Sequence, residues 1–250
     1  MYTIMLIGTA GSGKSTLTYT LSQWLEDNDK YTGIINLDPG VRWLPYTPDI
    51  DIREYIDLEH IMSKYELGPN GALIASVDMM INYIKEIREE IRNSNYEYII
   101  VDTPGQMELF AFRTVGPQII SKISEDNLLI LFLIDAIFTI KPSDFVSALL
   151  LATSVHYRFL KPQINVISKA DLLSEQRKSK IEEWIEDPET LKMDMMSEDS
   201  TLQREMSERL VDLISSEMFM DIVFTSSFTA EGGDALLGRI ERIFGKTIID

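Results

Sequence analysis

The sequence predicts an α/β fold of three layers, a mostly parallel sheet between two sets of helices, on three observations. Short apolar runs (Ile4–Ile7, Ile34–Leu37, Tyr98–Val101, Leu128–Ile134, Gln163–Ile167, Ile222–Thr225) alternate with segments whose apolar residues return at helical spacing. Several runs end in glycine, aspartate or serine, the residues that would line a crevice beyond the carboxyl ends of parallel strands. The first run leads directly into Gly8-Thr9-Ala10-Gly11-Ser12-Gly13-Lys14-Ser15-Thr16 and then a helix. That order of strand, glycine loop and helix is a P-loop.

The loop's chemistry follows from its residue types. Glycines let successive backbone N–H groups, among them those of Gly11, Ser12 and Gly13, converge on phosphate oxygens with no Cβ in the way. Lys14 adds a point charge, Ser15 offers a hydroxyl to Mg²⁺, and the helix that carries Thr16 turns its positive end to the same anion. Leu17, Leu21, Trp24 and Leu25 give that helix a face for the sheet.

Composition narrows the classes. A chain of 250 residues, 45% hydrophobic, supports one domain over residues 1–250, with helical insertions near 41–97 and 174–217. A formal net charge of -17 makes direct nucleic-acid binding and an anionic membrane surface poor partners. With no cysteine, disulfides, zinc thiolates and thiol catalysis are excluded. Met1 enters the first strand with no basic segment or cleavage site, and Leu128–Ile134 is too short to span a bilayer, so a cytoplasmic protein is expected.

Along the chain, Ile34–Leu37 delivers Asp38 to a strand end, where it could share the phosphate pocket or merely start the turn at Pro39-Gly40. Val41–Pro48 reads as loop and Ile50–Tyr65 as helix, with Ile52, Tyr55, Ile56, Glu59, His60 and Met62 on a mixed face. Pro69-Asn70-Gly71 is turn chemistry. Ser76 is placed to cap a helix with Met80, Ile81, Ile84, Ile87 and Ile91 inward and a solvated charged face.

Tyr98–Val101 brings Asp102-Thr103-Pro104-Gly105-Gln106 to the same sheet edge. An aspartate ending a strand accepts from the Mg²⁺ shell, Gly105 can set a backbone N–H against a terminal phosphate, and Gln106 can orient an attacking water. Phe110–Ile123 reads as a short helical region interrupted by Gly116-Pro117, and Leu128–Asp135 as a central strand. A helix from Ser143-Asp144 buries Phe145, Ala148, Leu149, Ala152, Val155 and Phe159. His60 and His156 read as structural or surface residues rather than metal ligands.

Gln163–Ile167 ends in Ser168-Lys169-Ala170-Asp171. Guanine shows an N1–H and an N2–H₂ side by side, both of which Asp171 can accept, whereas adenine shows an acceptor at the ring position. Lys169 can lay its stem along the base, and Ser226-Ser227 can bond it from the far wall. Residues 174–217, broken at Asp187-Pro188, read as inserted helices whose Met193-Asp194-Met195-Met196 cluster could be an adaptable partner surface but is more often helix packing. A final helix closes the sheet with Ala235, Leu236, Ile240 and Ile243.

In this order, the phosphate loop, Asp102–Gln106 and Ser168–Asp171 look like the motif set of guanine-nucleotide-binding P-loop proteins; with Gly68-Pro69-Asn70 between the first two, the chain resembles the GPN-loop GTPases, a dimeric SIMIBI-type class. The resemblance implies a P-loop NTPase fold and a homodimer in which Gly68, Pro69 and Asn70 of one subunit enter the other's nucleotide site. There Asn70 would hold the terminal phosphate or the water in trans. It also implies that Asp38 is the switch aspartate near Mg²⁺ and that Gln106 orients water. Thr9 and Gly40 depart from the family's common proline and alanine, which touches loop rigidity rather than nucleotide binding. The chain lacks the long C-terminal extension of eukaryotic members and so looks archaeal; those eukaryotic members are tied to RNA polymerase assembly and nuclear import.

The reading is therefore a Mg²⁺-dependent GTP hydrolase, using GTP/GDP, that acts as a homodimeric switch in assembly of a protein complex, related to RNA polymerase by analogy. A P-loop kinase is the alternative; it wants arginines in a mobile lid, and the insertion offers Arg177, Arg204 and Arg209 amid many acids. A module whose nucleotide gates a client complex is a third reading.

Overall fold

A computed structural model describes residues 1–124, 127–198, 209–214 and 221–247. Among them, seven strands form one sheet in the order β3-β2-β4-β1-β5-β6-β7, and every pairing is parallel. The strands are β1 (Tyr2–Gly8), β2 (Thr32–Asn36), β3 (Ile50–Asp51), β4 (Tyr98–Asp102), β5 (Leu128–Asp135), β6 (Gln163–Ser168) and β7 (Ile222–Phe224). The helices are α1 (Lys14–Asp27), α2 (Leu58–Lys64), α3 (Pro69–Met79), α4 (Ile84–Asn93), α5 (Met107–Phe110), α6 (Val115–Ile123), α7 (Pro142–Phe159), α8 (Glu175–Glu186), α9 (Pro188–Glu198) and α10 (Gly233–Thr247).

Strand alternation makes the three layers. In β1, Ile4 and Leu6 face α1 and α10 together with Leu17, Leu21, Leu236, Ile240 and Phe244. Met5 and Ile7 face the opposite layer with Ile87, Ile91, Ile119, Phe145, Leu149 and Trp184. Covered on both sides, β5 needs apolar residues at every position, and all of Leu128–Ile134 are buried. Each such side chain contributes roughly 1.5–3 kcal/mol relative to exposure.

Register gathers the functional residues. Leu6 pairs with Asp102, Asn36 with Asp102 and Asp135 with Ser168, so the strand ends line one edge of the sheet. The chain runs outward from β1 to β2 and β3, returns through β4, and continues on β1's other side with β5, which makes the end of β1 the switch point where ligands bind.

The structure corrects five local readings. Ile50-Asp51 opens no helix but pairs with Ile35-Asn36 as an edge strand; Ile52, Tyr55 and Ile56, whose spacing suits a helix, lie on a 3-10 turn and the loop after it, and the helix begins only at Leu58. Pro69-Asn70 is not a turn but the first turn of α3, with proline at the position where its missing N–H costs nothing. Ser76 lies buried inside α3 and caps nothing. Gly116-Pro117 does not interrupt a helix: it sits in the opening turn of α6, where a Cβ on Gly116 would lie 2.1 Å from the Phe110 carbonyl oxygen, so glycine allows the close approach. Ala235 is exposed, and Phe244 fills the inward face beside Leu236 and Ile240. In the insertion Met195 is buried and Met193 exposed, while Met206, Met218 and Arg204 lie outside the described residues.

Candidate functional site

The loop after β1 turns on glycine. Gly11 (φ 78°) and Gly13 (φ 88°) take the left-handed conformation that aims consecutive N–H groups inward, and Gly13 stands at the N-cap of α1 with no side chain in the way. The Lys14 ammonium folds over the loop and donates to the carbonyls of Gly8 (2.9 Å), Thr9 (3.0 Å) and Gly105 (3.3 Å). Burial lowers its pKa, opposed by the charges of Asp102, Asp38 and Glu108.

Asp102 ends β4 at 1% exposure. Burial raises the pKa of its carboxyl against the Ser15 and Tyr46 hydroxyls and Lys14, which favour the charge. Oδ2 accepts from the Tyr46 hydroxyl at 2.7 Å; the Ser15 hydroxyl stands near the carboxylate without the distance and angle of a hydrogen bond, so Oδ1 has no partner. Asp38 joins two segments: Oδ1 accepts from Gly40 N–H and Oδ2 from Gly105 N–H, each at 2.9 Å. Asn36 steers that turn, its Oδ1 accepting from Asp38 N–H and its amide donating to Asp51 Oδ1 at 2.9 Å. The Arg53 fork closes on Asp51, and Arg53 Nη1 reaches the Val41 carbonyl. Burial would raise Asp51's pKa, but Arg53 and Asn36 outweigh it and hold it below the usual carboxylate value. Gln106 is half-buried at the N-cap of α5, one residue beyond Gly105.

The base end is tied to the phosphate end. Ser168 Oγ donates to the Ser12 carbonyl (2.7 Å), and Lys169 Nζ bridges the Gly11 carbonyl (2.7 Å) and Asp135 Oδ2 (2.6 Å). Asp171 Oδ1 accepts from Ser226 Oγ at 2.6 Å. Around them Gly13, Thr16, Lys169, Asp171, Leu172 and Phe228 line a cavity of 320 Å³, with Leu172 and Phe228 largely exposed. A more apolar cavity of 260 Å³ between β5 and α7 touches the loop at Thr9 but offers only Asp135 and Asp144 as charges, the wrong sign for phosphate.

Hydrogen bonds thus unite the loop, Gly105 and Asp38 in one network beside Asp102, tie Lys169 to the same loop at Gly11, and pair Asp171 with Ser226. Gly68, Pro69 and Asn70 stand apart, exposed at the start of α3. That helix meets the network through Leu73, which packs against Gly40. Sequence reasoning missed Tyr46, Asp135, Asn36, Asp51 and Arg53. A polar Asn36 inside an apolar run was the one available signal; Tyr46, between prolines in an aperiodic loop, offered none. No helix among the described residues is long and apolar enough to cross a membrane.

The fold and the glycine loop together define a P-loop nucleotide-binding protein, with Asp171 standing just beyond the late parallel strand β6. A family described as conserved hypothetical ATP binding protein matches residues 6–246. The chain is 33% identical over 236 residues to GPN-loop GTPase PAB0955 of Pyrococcus abyssi, with 93% of each chain covered. The crystal structure of PAB0955, described as a GTPase in apo form, superposes with a TM-score of 0.86 over 97% of both chains at 32% identity. GPN-loop GTPase 3 of Kluyveromyces lactis is 30% identical over 96% of this chain and 90% of its own; GPN-loop GTPase 1 of Dictyostelium discoideum is 32% identical over 95% of this chain, which spans 60% of that longer protein. The chain belongs to the GPN-loop GTPase family, and with that the kinase alternative is set aside. The family description names ATP, whereas the curated relatives are named GTPases.

Proposed function

We propose that the chain hydrolyses GTP with Mg²⁺ as a homodimer whose conformation follows the bound nucleotide. The observation that carries this is the single network joining Lys14, Gly105 and Asp38 beside a buried Asp102. Lys14, held in a dry pocket with three carbonyl partners, would exchange them for phosphate oxygens, where its charge is worth more than in water. The Gly105 N–H that Asp38 accepts is also the donor a terminal phosphate would take. Asp38 and the phosphate share it, so nucleotide state and the Asp38 turn are coupled. Asp38 and the Gln106 amide would then position the water.

Ser15, Asp38 and Asp102 would hold the metal together with phosphate oxygens. The Asp102 site fits a cation because Oδ1 is a buried carboxylate oxygen with no donor, a state that costs about 1–3 kcal/mol or more until something positive faces it. Mg²⁺, when bound, neutralises charge on the phosphoryl oxygens. Asn70, exposed on a helix that packs onto the Asp38 turn, is offered outward, which supports its use by a second subunit. Gated assembly of a protein complex, RNA polymerase-related by family resemblance, is the use we propose for the switch.

Mixed dimers test this. Asn70→Ala and Lys14→Met chains should each be inactive alone, while an equal mixture should regain about a quarter of wild-type turnover, since half the dimers are mixed and each has one intact site. A mixture as inactive as its parents, or an active Asn70→Ala, would refute the trans arrangement; turnover unchanged by metal chelation would refute the Mg²⁺ requirement.

A further inference from the structure

We propose that Tyr46 is a positioning residue for Asp102: its hydroxyl, 2.7 Å from Oδ2, takes up one carboxylate oxygen and so presents the other, Oδ1, to the Mg²⁺ shell. The inference rests on the Mg²⁺–GTP reading of the site and extends it to a residue outside every motif of the chain. A carboxylate that shares a metal works from a fixed rotamer, and a donor on its far oxygen is the usual way a protein fixes one. At 1% exposure Asp102 has little water to do this work, so the protein must supply the donor.

The loop that carries Tyr46 is itself anchored. Arg53 donates to the Val41 carbonyl at the loop's start and grips Asp51, Asp51 holds the Asn36 amide, and Asn36 accepts from Asp38 N–H. One loop is therefore tied to both acids of the site, to Asp38 through Asn36, Asp51 and Arg53, and to Asp102 through Tyr46. Arg53 and Asn36 hold the loop's root, and the Tyr46 hydroxyl is the contact that reaches the carboxylate.

The test uses Tyr46→Phe, which keeps the ring and removes only the hydroxyl, with Mn²⁺ as a spectroscopic stand-in for Mg²⁺. Mn²⁺ is titrated into protein saturated with a non-hydrolysable GTP analogue and followed by electron paramagnetic resonance. In parallel, affinity for the analogue is measured in EDTA. Loss of an outer-shell partner should weaken Mn²⁺ about tenfold or more and leave metal-free nucleotide affinity within about twofold. Unchanged Mn²⁺ affinity overturns the proposal. So does an equal loss with and without metal, which would make Tyr46 a packing residue of the loop. A Tyr46→Phe chain that no longer unfolds cooperatively overturns it too, since the hydroxyl would then serve the fold. If wild-type protein binds the analogue without taking up Mn²⁺, the Mg²⁺–GTP reading itself falls, a result separate from the Tyr46 outcome.

Discussion

Asp171→Asn should change which base the site accepts. Asp171 presents two acceptor oxygens, one of them oriented by the Ser226 hydroxyl at 2.6 Å. An asparagine keeps the shape but turns one acceptor into a donor, so one of guanine's two adjacent N–H groups loses a charged partner and meets another N–H. A hydrogen bond to a charged group is worth about 1.5–3 kcal/mol, and an unpaired donor adds about 1–3. Asp171 is exposed, which puts the sum at the low end, about 3 kcal/mol, or roughly a hundredfold in affinity. Xanthine, with a carbonyl where guanine has its amino group, would regain what guanine loses. Competition of GTP, XTP and ATP against a fluorescent guanine nucleotide measures this directly. If the variant still binds GTP within about threefold of wild type, Asp171 does not read the base and the guanine argument fails.

Further outcomes follow from the same geometry. Gln106→Ala should cut GTP turnover by about 10²-fold or more with nucleotide affinity retained, checked by phosphate release beside equilibrium binding; near-wild-type rates would remove Gln106 from the mechanism. Asp102→Asn should stabilise the nucleotide-free protein while removing turnover. Burial raises the Asp102 pKa, so its ionisation costs stability as pH rises above the unfolded carboxylate value, and asparagine escapes that cost. The gain should be present at pH 7 and vanish below about pH 4, the ordinary carboxylate range, as thermal unfolding of both proteins across pH would show. Asp51 has the opposite sign: its folded pKa is lowered, its contribution is present above the ordinary carboxylate value and lost as pH falls through the lower one. Asp51→Asn should therefore flatten acid unfolding below about pH 4, followed by circular dichroism.

Much of this architecture could be read from residues alone, because its signals are local. The glycine loop, the aspartates at strand ends and the unbroken Leu128–Ile134 run each impose one backbone solution, and the structure adopts it. Reading failed where a pattern had two physical causes. Ile52, Tyr55 and Ile56 sit at spacings that suit a helix, yet they lie on a 3-10 turn and the loop after it, where tertiary packing buries Ile52 and Ile56. Proline followed by asparagine and glycine favours a turn and equally favours the first turn of a helix, and for Pro69-Asn70 the downstream apolar residues decide. Gly116 looked like a breaker because its reason, the Phe110 carbonyl against it, is a contact no window of sequence contains. The same holds at the site. Asp38, Gly105, Lys169 and Asp171, to which roles are proposed, stand just after strands, a position visible in sequence. Tyr46 and Asp135 matter through partners far along the chain, Asp102 and Lys169, and carry no motif.

This edge of the sheet is expected to hydrolyse GTP and to discriminate against ATP. Steady-state phosphate release from purified wild-type protein, with Mg²⁺, no acceptor present, and GTP and ATP run in parallel, tests it most directly. Phosphate release from GTP should stop with EDTA, and ATP should be turned over about a hundredfold less efficiently. Equal turnover of ATP, or no release from GTP, would contradict it.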